Sequence, residues 1–195
     1  MNINNLLPKD GEAYFFPRVF DEKKSISYFE TLKNQILWKQ EPIKIMGKEI
    51  LQPRLTAWYA DQGITYSYSG IKMLPAHWNY ELLEIKQLIE TLSGETFNSA
   101  LLNLYRDEND SMGWHRDNEK SLGINPVIAS VSFGAARTFS LKHKEDKKHT
   151  SKLILTSGSL LLMKGDTQHY WYHCVPKEKA VSEPRINITF RRIKS

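Results

Sequence analysis

Arg185-Ile186-Asn187-Ile188-Thr189-Phe190-Arg191 alternates polar and apolar side chains without a break. Read as a β-strand, in which successive side chains point to opposite faces, it places Arg185, Asn187, Thr189 and Arg191 on one side. Ile186, Ile188 and Phe190 fall on the other. Upstream lie further short runs of strand character: Leu101–Arg106, Val127–Phe133, Arg137–Lys142, Lys152–Thr156, Ser159–Lys164 and Tyr170–Cys174. Turn-forming residues separate several of them: Glu108-Asn109-Asp110, Gly134, Ser157-Gly158 and Lys164-Gly165-Asp166. So many short strands predict a closed or double-sheet architecture, a jelly roll. The eleven positions from Lys142 to Lys152 hold five lysines and two histidines and read as an exposed loop.

The first half of the chain reads differently. Asp21 is placed to cap a helix carrying Ile26, Phe29, Leu32 and Ile36, and Asn79 a second one carrying Leu82, Ile85, Ile89 and Leu92, with Gly94 as its stop. The expectation is an α+β protein with a jelly-roll core over about 97–195 and two covering helices in the N-terminal half. One domain is expected over 1–195, with a segment of about 40–75 outside the core.

Bulk properties set outer limits. The chain has 195 residues, a quarter of them charged and 41% apolar, with a net charge of +5. A basic balance permits a polyanionic partner and does not require one. The single cysteine, Cys174, cannot form an intramolecular disulfide, which points to a reducing compartment. No membrane span and no signal peptide are expected, so the expected location is cytoplasmic, or nuclear in a eukaryote.

The chemistry-bearing residues are His115, Asp117 and His173. Two imidazoles and a carboxylate are the donor set that holds non-haem Fe(II) on one face and leaves the opposite positions open. His115 and Asp117 are two apart and face the same way in an extended segment, and the fold must return His173 to them. Guanidinium groups on the polar face of the 185–191 strand suit a bound dicarboxylate, since Arg holds carboxylate oxygens through paired hydrogen bonds. Asn103 and Tyr105, again two apart, offer polar groups to the same ligand. The same three donors would also suit zinc, which leaves the arginines unexplained.

Leu102-Asn103-Leu104-Tyr105-Arg106, Trp114-His115-Arg116-Asp117, Ile128-Ala129-Ser130-Val131-Ser132-Phe133-Gly134, Trp171-Tyr172-His173 and Pro184–Arg191 occur in the order found in the AlkB family. The chain resembles those Fe(II)- and 2-oxoglutarate-dependent dioxygenases from about Ile45 to its C-terminus, and looks closest to members that repair double-stranded DNA. The resemblance implies Fe(II) on His115, Asp117 and His173, with no catalytic side chain beyond these ligands. It implies 2-oxoglutarate, a co-substrate with O2, on Asn103, Tyr105, Arg185 and Arg191, with Asn187 and Thr189 as lesser contributors. Either arginine could pair the distal carboxylate, with Arg185 favoured for the keto-acid end.

The implied reaction is direct repair: oxidative demethylation of 1-methyladenine and 3-methylcytosine in DNA, releasing succinate, CO2 and formaldehyde. RNA demethylation by the same chemistry, or binding of damaged DNA without catalysis, are the alternatives. A base must leave the duplex to reach such a site. Tyr66 and Tyr68, in a segment that looks like the family's base-recognition lid, are candidates to stack it. Met46, in the expected hairpin tip Ile45-Met46-Gly47-Lys48, is a candidate wedge at a place where duplex-repair relatives carry a bulkier aromatic. Asn118 and Glu119 are candidates for the edge of the base, and Arg54, Lys142, Lys144, Lys147, Lys148 and Lys177 for phosphates. Glu178 is expected to weaken a basic patch between Lys177 and Lys179. The chain is expected to act as a monomer on duplex and single-stranded DNA.

Overall fold

The computed structural model describes residues 4–45, 48–64, 66–68, 71–73 and 75–194. Eight strands make the jelly roll: β7 (Ser99–Tyr105), β8 (Met112–His115), β9 (Ile128–Gly134), β10 (Arg137–His143), β11 (Thr150–Leu155), β12 (Ser159–Lys164), β13 (Trp171–Val175) and β14 (Arg185–Arg191). They divide into a major sheet, in which β12, β9, β14 and β7 are neighbours, and a minor sheet ordered β11-β10-β13-β8. All pairings are antiparallel.

Two strands from the N-terminal half extend the major sheet. β1 (Glu12–Phe16) pairs with β12 at one edge, and β4 (Leu55–Ala60) pairs with β7 at the other. The core therefore reaches outside 97–195, and β4 interrupts the segment 40–75 expected outside it. What remains there is two hairpins, β2 (Pro42–Ile45) with β3 (Lys48–Leu51) and β5 (Tyr66–Tyr68) with β6 (Ile71–Met73).

Helix α1 (Glu22–Gln35) starts at Asp21, whose carboxylate accepts from the Lys24 amide at 2.7 Å. Its buried face is Ser25, Tyr28 and Leu32, and Ile26 is 57% exposed rather than part of the stripe. One helical step of 100° separates Ser25 from Ile26, and the Ser25 hydroxyl satisfies itself on the Asp21 carbonyl, so a serine is accommodated inside. Helix α2 (Tyr80–Ser93) is capped by Asn79 and ends at Gly94 in the left-handed region at φ 71°. Leu82, Ile85 and Ile89 are buried, whereas Leu92 is half exposed. A short helix α3 (Thr167–Tyr170) precedes β13.

Two apolar layers follow from strand alternation. Ile186, Ile188 and Phe190 on β14 join Leu102, Leu104, Val131 and Phe133 against Tyr28, Leu32, Leu82, Ile85 and Ile89 of the helices. Each such side chain contributes roughly 1.5–3 kcal/mol of transfer free energy. Between the sheets lie Trp58, Leu101, Ile128, Phe139, Leu141, Leu161, Met163, Trp171 and Val175. The polar face of β14 looks into that second layer. Arg185, Asn187, Thr189 and Arg191 are all at most 7% exposed. Burying two guanidinium groups inside a sandwich is costly unless something pairs them.

The loop expected over 142–152 is shorter, because strands take both of its ends. Lys142 and His143 end β10, Thr150 opens β11, and only 144–149 connects them. His143 is buried and its Nδ1 accepts from the amides of Glu145 and Asp146, which shapes the turn.

Candidate metal centre and acid pocket

His115 ends β8 and His173 sits in the middle of β13, directly opposite it in the antiparallel register. Their ring centroids are 4.2 Å apart. Asp117 follows in an extended loop, and ligand atoms from all three lie within 4.8 Å of one another. Cross-strand pairing thus performs the return that the sequence separation demanded.

Several contacts orient these donors. His115 Nδ1 lies 2.9 Å from the Gly113 carbonyl, which can only accept, so Nδ1 carries the proton and Nε2 keeps its lone pair. Asp117 Oδ1 accepts from Arg191 Nη2 at 2.8 Å, and the Asp117 amide donates to Gln168 Oε1 at 2.9 Å. Gln168 is fully buried. Phe139 stacks on His173 with centroids 5.3 Å apart.

Burial pushes His173 down to about 3, helped by the neighbouring His115, against the opposing pull of Asp117. Burial likewise lowers His115. For Asp117 burial alone would raise the pKa, but Arg191 and the two histidines outweigh it, so the carboxyl stays ionised. At neutral pH the site therefore presents two neutral imidazoles and one carboxylate, the protonation states a divalent metal requires.

The same cavity continues along β14 and β7. It is lined by Asn103, Tyr105, Ser130, Arg185, Asn187, Thr189 and Arg191 besides the three donors, and has a volume of about 40 Å³. Since one water needs roughly 10–15 Å³ by the same measure, only a small ligand fits. The two strands are in register, with Tyr105 opposite Arg185 and Asn103 opposite Asn187. Arg185 lies with its guanidinium carbon 5.2 Å from the centre of the Tyr105 ring and donates from Nη2 to Ser132 Oγ at 2.8 Å. Its Nε and Nη1 are buried without a hydrogen-bond partner. Burial lowers its pKa to about 10, against the attraction of Tyr105, so it remains cationic at neutral pH.

Asn103 Oδ1 accepts from Arg54 Nε at 2.7 Å, and Asn187 Nδ2 donates to Ser130 Oγ at 2.8 Å. Thr189 Oγ1 donates to Asn187 Oδ1 at 3.0 Å. Every acid-pocket residue expected from the sequence is thus in one cavity.

The two arginines separate cleanly. Arg191 is the one bonded to a metal-donor carboxylate, while Arg185 lies at the Ser132–Tyr105 end. The alternating face thus carries Arg191 to Asp117 and leaves Arg185, the arginine favoured above for the keto-acid end, farther along the strand.

Other expectations change too. Arg54 is 3% exposed, and besides Asn103 it donates to Gln52 Oε1 and to the Ser111 carbonyl. Phosphates cannot reach it; it holds Asn103 in place. Glu178 does not oppose Lys177 and Lys179, because its carboxylate accepts from Arg137 Nε at 2.9 Å and from the Thr138 amide and hydroxyl. Asn118 is exposed, Glu119 is half-buried ahead of the 3₁₀ turn Lys120–Leu122, and Lys48 is exposed on β3. Met46 and Gly47 lie outside the described residues. Tyr66 and Tyr68 are the first and last residues of β5. Gln168, Ser130 and Ser132 were missed; the two serines alternate with Ala129, Val131 and Phe133 in an otherwise apolar strand, which was a legible signal.

Comparison with known proteins agrees with this geometry. The profile of the 2OG-Fe(II) oxygenase superfamily matches residues 12–191. The chain belongs to that superfamily, and within it to the AlkB family. It is 45% identical to cattle (Bos taurus) alpha-ketoglutarate-dependent dioxygenase alkB homolog 3 over 186 residues, 91% of this chain and 64% of that protein. It is 40% identical to mouse (Mus musculus) DNA oxidative demethylase ALKBH2 over 197 residues, 96% of this chain and 82% of that protein. The chain thus spans under two thirds of the length of the cattle relative. The structure of OsALKBH1 superimposes with a TM-score of 0.64 over 92% of this chain and 96% of that one, at 17% identity, a likeness of fold. Among the described residues no helix is long and apolar enough to cross a membrane.

Proposed function

We propose that this chain is an oxidative demethylase of N-alkylated bases in DNA, 1-methyladenine and 3-methylcytosine among them. His115, Asp117 and His173 would hold Fe(II), and 2-oxoglutarate would lie along β14 with its keto-acid end toward Arg191 and its far carboxylate on Arg185. The observation that carries the reading is the pair of unpartnered buried donors on Arg185, in the same small cavity as a His-Asp-His cluster. A dicarboxylate answers both that orphaned charge and the limited volume, which a zinc hydrolase does not.

Iron held by His115, Asp117 and His173, with the keto acid and O2, would supply the oxidising chemistry, with succinate and CO2 as products. The protein's part is positional. Gly113 and Gln168 hold the donor loop, Arg54 turns Asn103 toward the acid, and Phe139, Met163, Val175 and Leu101 keep the cavity dry. Hydroxylation of the N-methyl carbon gives an adduct that releases formaldehyde and the unmodified base. Asn118, exposed beside Asp117, is the candidate for the base edge, and Tyr66 and Tyr68 are the candidates to stack the flipped base. The similarity to a DNA oxidative demethylase and to an alpha-ketoglutarate-dependent dioxygenase supports this assignment.

The test is a panel of methylated oligonucleotides, single-stranded, duplex and RNA, with unmethylated controls. Equimolar succinate and formaldehyde from methylated DNA is the expected result. Turnover of methylated RNA with methylated DNA left intact would overturn the DNA assignment.

A further inference from the structure

The outer face of the minor sheet carries a second cluster. Alternation that turns Phe139, Leu141 and His173 inward turns Ser140, Lys142, Tyr172 and Cys174 outward, with Lys142 opposite Tyr172 and Ser140 opposite both Lys152 and Cys174. Trp114, next to the metal-donor candidate His115, is 45% exposed on β8, the edge strand of that sheet. Lys142 Nζ sits 4.1 Å from the centre of the Trp114 ring and 5.9 Å from that of Tyr172. The Arg116 guanidinium lies 4.9 Å from the Tyr172 ring centre and is anchored by donation to the His169 carbonyl at 2.7 Å.

About half of the Trp114 side chain is thus open on a sheet edge, beside cations. The neighbouring charges are mostly positive: Lys142, Lys152 and Arg116 on the face, and Lys144, Lys147 and Lys148 in the adjoining connection, against the acids Glu145 and Asp146 there. Cations interleaved with aromatic rings are the chemistry that tracks a phosphate backbone while stacking its bases. Duplex DNA keeps its base faces covered, whereas a single strand offers one to a tryptophan.

We infer that Trp114, with Lys142, Tyr172 and Arg116, forms a platform for a nucleotide of single-stranded DNA flanking the target base. The inference rests on the DNA reading of the site and adds to it the path of the strand. Trp114 is the immediate neighbour of His115, whose side chain lines the cavity, so a strand leaving the cavity mouth reaches this edge within about a nucleotide. A base stacks on the exposed part of Trp114, and Lys142 meets the adjoining phosphate.

Anisotropy titration of labelled single-stranded oligothymidylate, using the full chain, tests it. Trp114→Ala should weaken binding roughly 5- to 100-fold, the range for loss of one stacked base, and Trp114→Phe should recover most of it. Lys142→Gln should flatten the log–log salt slope by about 0.7, the value for one phosphate contact on a single strand. Thermal unfolding of each variant checks that the sheet is intact. Binding by Trp114→Ala within twofold of wild type overturns the platform, as does a Phe variant no better than Ala. If methylated DNA is still demethylated in that case, the reading of the cavity survives. A wild-type chain that neither binds nor demethylates any oligonucleotide overturns both.

Discussion

Replacing Arg185 with Met should move ligand affinity and stability in opposite directions. Arg185 is 1% exposed and donates from Nη2 to Ser132 beside the Tyr105 ring, while Nε and Nη1 have no partner. Two charge-assisted hydrogen bonds to a carboxylate contribute about 1.5–3 kcal/mol each, so their loss costs about 3–6 kcal/mol of 2-oxoglutarate binding, or about 10²- to 10⁴-fold in Kd. Without the ligand the same guanidinium is a buried, incompletely paired cation, and a methionine of similar length packs on Tyr105 without that desolvation penalty. The ligand-free variant should therefore melt higher, by about 2–4 °C per kcal/mol gained in a domain of this size. Calorimetric titration of the Mn(II)-loaded protein with 2-oxoglutarate under nitrogen gives the first quantity, and scanning calorimetry of the metal-free protein gives the second. A variant that binds 2-oxoglutarate within threefold of wild type would refute the reasoning, as would a metal-free variant that melts lower.

Arg54→Leu should raise the Kd for 2-oxoglutarate about tenfold, since Asn103 loses a charged donor worth roughly 1.5 kcal/mol, and should leave the salt slope of DNA binding unchanged. A shallower slope would return Arg54 to the phosphate contacts. Gln168→Leu removes the acceptor for the Asp117 amide and should weaken Mn(II) binding roughly 10- to 100-fold in an equilibrium titration; an unchanged affinity would mean that the loop holds without it. The metal-free protein should lose stability as pH falls below about 6.5. There the unfolded chain protonates His173 while the folded chain, with that pKa near 3, does not. One proton over the interval from 6.5 to 5 amounts to about 2 kcal/mol. His173→Ala should flatten that stretch of the stability profile, and an identical profile would show that other groups set it.

The jelly roll was readable because turn residues separate its short strands and β14 alternates without interruption. The acid pocket was readable for the same reason, since polar residues on the inner face of an otherwise apolar sheet, Asn103 and Asn187 among them, have no packing role. β1 and β4 were not legible. Glu12–Phe16 buries only Ala13 deeply, and Leu55–Ala60 buries four of its six residues on both faces, so neither shows a period of two. Ser25 replacing Ile26 on the buried face of α1 followed from a local hydroxyl–carbonyl bond that no periodicity announces. Arg54 read as a surface cation because charge suggests exposure, whereas three acceptors, Asn103, Gln52 and Ser111, make its burial tolerable. The roles of Arg185 and Arg191 were undecided because which end of a strand approaches a loop is a tertiary fact.

The central claim is that distant stretches of this chain meet to hold a ferrous ion beside a keto acid. Adding 2-oxoglutarate to the Fe(II)-loaded protein under nitrogen and recording the visible spectrum tests it most directly. A weak charge-transfer band that saturates with one equivalent of each, and is lost in His173→Ala, is the predicted result. No band in the wild-type protein, or a band that survives that substitution, would contradict it.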